Sequence, residues 1–362
     1  MTTTTDRAPR TGPALPEARG PLSARVRAAL TAPEVPAVDT AGAATADPYG
    51  EDLHVALHTL YELHYRGFAG VPEDHEWHPA LMPLRRALEE RFLGALRADV
   101  PGGRDVAEVF DGLLVEPADH TGSVAYHLEH EGTGEQLREY AALRSLYHLK
   151  EADPHLWVVP RLTGRAKAGM VAIQYDEYGA GRAEGMHARL FADLMTDLGL
   201  ETRYGHYVDA APAPALAVVN MMSLFGLRRS LRAALVGHFA AVEVTSSPGS
   251  RRIAAAMRRT GAGPAAEHFY AEHVEADAVH EQVVRREVIG GLLADEPGLA
   301  ADVAFGAEAT DLLEDHLAAH LLGAWREGRS ALRGHPGRAL THRTGQAAES
   351  RRREPSWRSG TS

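Results

Sequence analysis

Cysteine is absent from the 362-residue chain. That excludes a disulfide scaffold, thiolate catalysis, zinc fingers and Cys-ligated iron–sulfur clusters. Lysine is almost absent: of 38 basic residues only Lys150 and Lys167 are not arginine. With Ala and Gly so abundant, this reads as codon bias rather than a device for phosphate. A basic excess is missing too. With 49 acidic residues the net charge is −11, the wrong sign for a general nucleic-acid binder. No apolar run is long enough to span a bilayer; the longest, Pro214 to Leu227, contains Asn220 and Ser223. The first 20 residues are rich in Thr, Pro and Arg and lack the apolar core of a secretory signal. The expectation is a soluble cytoplasmic protein with no membrane and no nucleic-acid partner. There is no H-E-x-x-H, no G-x-S-x-G and no P-loop.

What is present is a globular composition, 44% hydrophobic, with helical periodicity almost throughout and few alternating strand patterns. Residues 1–20 read as a disordered arm. Residues 329–362 read as a disordered Arg-rich tail with eight Arg against two Glu, so the acidity is concentrated in the part that folds. Between them the spacing predicts helices near 52–65, 79–96, 104–114, 122–130, 134–152, 165–178, 182–198, 213–225, 228–246, 249–260, 264–291 and 297–326. Pro248, Pro264 and Pro297 stand where helix starts are expected. The fold class is all-α, with an N-terminal helical accessory region at 21–140 and a larger core at 141–328. The leucine seam of 80–96 and the YELHYRGF segment carry apolar faces that a small layer cannot bury alone. That layer is expected to pack on the core or to form a homodimer.

Chemistry concentrates in two stretches. FYAEHVEADAVHEQ carries His273, Asp277 and His280. At 100° per residue these fall within an arc of about 60°. Imidazole and carboxylate on one face suit iron, manganese or zinc; the alternative is a solvated face marked by Glu272, Glu275 and Glu281. QYDEYGAGRAEGMHARLF carries Glu177, Glu184 and His187, which a continuous helix would also put on one face. Gly179, Gly181 and Gly185 interrupt it, each costing about 1 kcal/mol in a helix interior. Either something approaches the backbone there, or the stretch is a frayed loop between helices. Glu151 and Glu243 lie in apolar surroundings where an unpaired carboxylate is costly. Each alone could be a buried ion pair with arginine. Together, five carboxylates, three neutral imidazoles and two divalent ions make a near-neutral dinuclear centre. Helical bundles build such centres from inward Glu residues and Glu-x-x-His units. Glu184-Gly-Met-His187 has that form, whereas His273-x3-Asp277-x2-His280 departs from it.

The order Glu151, Glu177, Glu184-x2-His187, Glu243, His273-x3-Asp277-x2-His280 resembles the heme-oxygenase-like di-iron oxidases and oxygenases, the iron-containing redox enzymes. The strings LKEADPHLW, QYDEYGAG and HVEADAVHEQVV look like theirs, and YELHYRGF resembles an N-terminal segment of longer members. The resemblance covers roughly 50–325. It implies a heme-oxygenase-like helical bundle with an N-terminal extension, binding two Fe(II)/Fe(III) ions and no heme, with dioxygen as co-substrate. It implies Glu151, Glu184, His187, Glu243, His273, Asp277 and His280 as metal ligands, with Glu177 as an added carboxylate that accompanies N-oxygenating members. The expected activity is N-oxygenation of an amine or amino-acid-derived small molecule, with an external electron donor admitted. Desaturation, C–C cleavage and oxidative decarboxylation are the alternatives within the family. A heme-binding or heme-degrading protein, or a metal-free helical interaction module, are those outside it. Other helically spaced pairs, His54-x3-His58 and His316-x3-His320 beside Asp315, lack a partner set and read as structural. Met221 and Met222 read as core, and Arg165, Arg182, Tyr175 and Tyr178 lie near the proposed site.

Overall fold

The computed structural model describes residues 12–100, 102–115 and 119–334; the side chains of residues 275, 277 and 278 lie outside the description. In chain order the helices are α1 (Pro21–Thr31), α2 (Glu51–Glu62), α3 (Met82–Asp99), α4 (Val106–Leu113), α5 (Val124–His130), α6 (Gly134–His148), α7 (Asp153–Leu156), α8 (Gly164–Glu177), α9 (His187–Asp197), α10 (Ala213–Leu227), α11 (Arg232–Thr260), α12 (Pro264–Val283), α13 (Gly290–Asp295) and α14 (Ala300–Arg326). No β-strand forms among the described residues, and the fold class is all-α as the periodicity predicts.

The core is organised around α11, which packs along α12 and α14 and also meets α5. α11 and α14 cross at glycines. A Cβ on Gly237 would stand 1.9 Å from the Val303 carbonyl oxygen, and one on Gly306 would stand 2.0 Å from that of Ala234. Any side chain there would force the two helices apart. α6 starts on a capping box in which Thr133 and Gln136 satisfy each other's backbone N–H; its far end delivers the chain to Glu151. The N-terminal layer packs on this core: α1 lies on α2, and α2 lies on α10.

Several boundaries differ from the sequence reading. Pro248 does not start a helix; it lies inside α11, which runs unbroken from 232 to 260. An interior proline removes one helical hydrogen bond and costs about 3 kcal/mol. Burial of α11 against α12, α14 and α5 outweighs it. The helix expected at 264–291 passes through a π-helical turn, Val284–Ile289, before α13. Such turns often accompany functional sites, and this one follows His280 by one turn.

The arm expected to be disordered over 1–20 is held from residue 13 onward. The Ala69 N–H donates to the Pro13 carbonyl, and Arg19 pairs with Glu51 at 2.6 Å and donates to the carbonyls of Val208 and Ala211. Residues 330–333, which the sequence reading assigned to the Arg-rich tail, are held as well. Ser330 and the Ala331 N–H bind Glu139, and the Arg333 N–H donates to Ala210. The expectation of disorder at 1–11 and 335–362 lies outside the described residues.

Candidate metal centre

α8 ends at Glu177. The chain then reverses through two tight turns, Gly179–Gly181 and Ala183–Gly185, and α9 begins at His187. An isolated antiparallel bridge between Tyr178 and Met186 closes the reversal. The residues next outward from a bridged pair face each other, and Glu177 Oε2 lies 2.8 Å from His187 Nδ1. Glycine makes this possible. Gly179 adopts a φ of 70°, and a Cβ on it would stand 2.5 Å from the Gly185 carbonyl carbon. What approaches the glycine-rich backbone is therefore its own returning strand of chain.

The same reversal corrects the sequence reading of Glu184. A shared face for Glu177 and Glu184 requires a helix through 178–186, and the glycines end it. Glu184 sits exposed on the second turn and joins neither ligand group. The apparent Glu-x-x-His unit does not form; Glu177, ten residues away in sequence, meets His187 instead.

Two buried triplets result, Glu151–His187–His273 and Glu177–Glu243–His280, each with donor atoms within 4.8 Å of one another. In the first, His273 Nε2 faces Glu151 Oε1 at 3.7 Å, and the His187 and His273 rings lie 4.4 Å apart. In the second, His280 Nδ1 lies 3.2 Å from Glu243 Oε2 and 3.8 Å from Glu177 Oε1. Glu177 joins the triplets: one carboxylate oxygen faces His187 of the first and the other faces His280 of the second. Of the eight expected ligands the structure thus assembles six. Glu184 stands apart, and the side chain of Asp277 lies outside the described residues.

Residues the sequence reading passed over orient these groups. The His273 Nδ1–H donates to the Phe269 carbonyl at 2.8 Å, which turns Nε2 toward Glu151. Asp176 holds His280 Nε2 at 3.2 Å. The His148 Nδ1–H donates to Glu151 Oε2 at 2.7 Å. Outer contacts of this kind set the tautomer and aim of metal-binding imidazoles. The signals were present, since His148 precedes Glu151 by one helical turn and Asp176 adjoins Glu177, but spacing alone does not single them out. Gln174, one turn before Glu177, is 2% exposed with neither amide atom hydrogen-bonded.

The electrostatics of the two triplets run against burial. Burial opposes charge on His280, yet its contact with Glu243, reinforced by Glu177 and Asp176, raises it to about 9. His187 is raised against burial by Glu177 in the same way. Burial would raise Glu151, but His148 and His273 hold it well below the usual carboxylate range. Glu177 and Glu243 therefore favour the protonated forms of His187 and His280. A divalent cation can replace those protons. A donor set of carboxylate and imidazole without thiolate fits iron, manganese or zinc.

The remaining candidates fall elsewhere. His54 packs edge-on against Phe92 and is pushed down to about 3 by burial; His58, also buried, falls to about 4. His316 lies against Tyr49, and His320 binds the Ala331 carbonyl. Met221 and Met222 are buried core. Arg165 pairs with Glu287, Tyr178 donates to Asp153, and Arg182 and Tyr175 are exposed.

Two buried carboxylate–imidazole triplets inside an all-helical bundle could each hold a metal ion. Residues 138–315 match the family model of the iron-containing redox enzymes, and this part of the chain belongs to that heme-oxygenase-like family. No curated protein matches the chain. No described helix is long and apolar enough to cross a membrane.

Proposed function

We propose that the chain is a non-heme di-iron oxygenase acting on a small-molecule substrate, with Glu151, His187 and His273 holding one iron and Glu177, Glu243 and His280 the other. The observation that carries this reading is Glu177, whose two oxygens face an imidazole of each triplet. Iron bound there would supply electrons for the reduction of dioxygen, with an external donor restoring them. The chain's own part is to hold the donor atoms in a dry site, keep Glu151 ionised through His148, and fix the imidazoles through Phe269 and Asp176. Gln174 offers a buried amide whose unmet hydrogen bonds call for a polar partner, either water or substrate.

N-oxygenation of an amine is the chemistry we favour, because Glu177 is the added carboxylate on which that resemblance rests. Desaturation or C–C cleavage is the second reading. A heme protein is disfavoured, since the central imidazoles face carboxylates rather than an apolar plane. The test is anaerobic Fe(II) titration with metal analysis, followed by oxygen consumption with amine and carboxylic-acid substrates. Two irons per chain and amine-stimulated oxygen uptake are expected. Stoichiometric heme binding, or saturation at one zinc, would overturn the assignment.

A further inference from the structure

The YELHYRGF segment, residues 61–68, lies outside the family-matched span, yet it grips the turn that carries Glu151. Glu62, the last residue of α2, is buried and accepts hydrogen bonds from Lys150 Nζ on one oxygen and from the Tyr204 hydroxyl on the other. Lys150 is 1% exposed, and its ammonium lies 4.2 Å from the centre of the Tyr65 ring. The Tyr65 hydroxyl in turn meets Ser223 Oγ on α10 at 3.0 Å. Arg66 donates to the Leu149 carbonyl at 3.0 Å and stacks 4.2 Å over Tyr204. Three side chains from one five-residue run thus hold positions 149 and 150, immediately before Glu151.

Each contact has a physical reason. The last carbonyls of a helix have no N–H partner within it, and Arg66 supplies one just beyond the end of α6. A buried ammonium is costly unless a carboxylate meets it, and Glu62 does so. In a chain that uses arginine almost everywhere else, the site keeps a compact ammonium where a planar five-donor guanidinium would need further acceptors. α6 gives way here to a turn, and a turn is free to shift unless something outside it fixes the backbone.

We propose that Glu62, Arg66 and Lys150 are positioning residues that hold Glu151 in register, so that the metal affinity of the Glu151–His187–His273 triplet is set in part by the N-terminal segment. This rests on the metal-binding reading above. The test is Co(II) titration of the full chain against a competing chelator, in wild type, Arg66→Met and Glu62→Gln. A Glu243→Gln variant identifies the step that belongs to the other triplet. Both clamp variants should weaken the Glu151 step about tenfold or more and leave the other step within about threefold. A structural role alone would lower the melting temperature and leave that split unchanged. Equal weakening of both steps, or of neither, in folded variants overturns the proposal. Should Glu62→Gln strand Lys150 and prevent folding, Arg66→Met decides, because the Arg66 side chain lies at the surface. Wild-type protein that takes up no ion would overturn the metal-binding reading itself, and the clamp with it.

Discussion

Two sets of buried histidines in this protein respond oppositely to the same burial. At the centre, His280 is raised to about 9 and His187 is also raised. Elsewhere in the same core burial pushes His54 down to about 3, His58 and His238 to about 4, and His155 well below its usual value. Desolvation acts on every one of them. The difference is the company: His280 and His187 face Glu243 and Glu177, whereas His54 meets Phe92, His238 meets Thr310, and His155 lies against Phe239. Burial sets a histidine's default as neutral and inert. A single carboxylate does not reverse it, since His148 beside Glu151 stays lowered. The converging carboxylates around His280 and His187 do, which is the environment the proposed metal reading calls for.

The comparison breaks most sharply at Glu177. Removing it takes from both triplets the carboxylate that joins them and withdraws the main support for charge on His187. Glu177→Ala should weaken both metal-binding steps, the larger loss being at least about 100-fold, beyond the 10–100-fold typical of outer-contact residues. Competition titration with Fe(II) or Co(II) measures it. If only one step moves, Glu177 belongs to a single ion and the joined-centre reading is wrong.

The two histidine sets also impose opposite pH limits on the metal-free protein. His280 is raised from 6.5 to about 9, so its contribution is complete below pH 6.5 and is lost as pH rises through 9. At most this is about 3 kcal/mol. His54 is lowered from 6.5 to about 3. Its unfolded form takes up a proton below pH 6.5 while the folded form does not, so stability falls as pH drops from 6.5 toward 3. Urea midpoints at pH 5, 6.5, 8 and 9.5 should therefore peak near the middle. Metal should flatten the alkaline limb, because the ion takes over the role of the proton. An alkaline limb that is flat without metal would show that His280 carries no extra proton.

Much of this was legible in the chain, for reasons that also explain what was not. Helices with a sustained apolar stripe, such as α3 and α14, appear because their periodicity exceeds local noise. The six residues of the two triplets were readable because carboxylates in apolar runs are costly enough to need a reason. The continuity of α11 through Pro248 was hidden, since it depends on what α11 packs against. The pairing of Glu177 with His187 was hidden because helical spacing presumes a helix, and three glycines had already ended it. His54-x3-His58 and the histidines of α12 look alike as spacing; only the fold reveals which of them carboxylates reach.

Glu184 offers the smallest effect and the finest test of that last point. By spacing it is as good a ligand as any: three residues before His187 and two helical turns from Glu177. In the folded chain it lies on an exposed turn, no ion pair to it forms among the described residues, and Glu177 occupies the place opposite His187. An exposed carboxylate outside hydrogen-bonding reach of the centre acts on it only through a screened field. Glu184→Ala should therefore leave both metal-binding steps within about threefold of wild type and shift stability by no more than about 0.5 kcal/mol. The same two titrations serve Glu177→Ala and Glu184→Ala side by side. Should Glu184→Ala instead lose an ion, the 179–185 turn must rewind when metal binds, and the glycines that end α8 would serve as the hinge of that rearrangement.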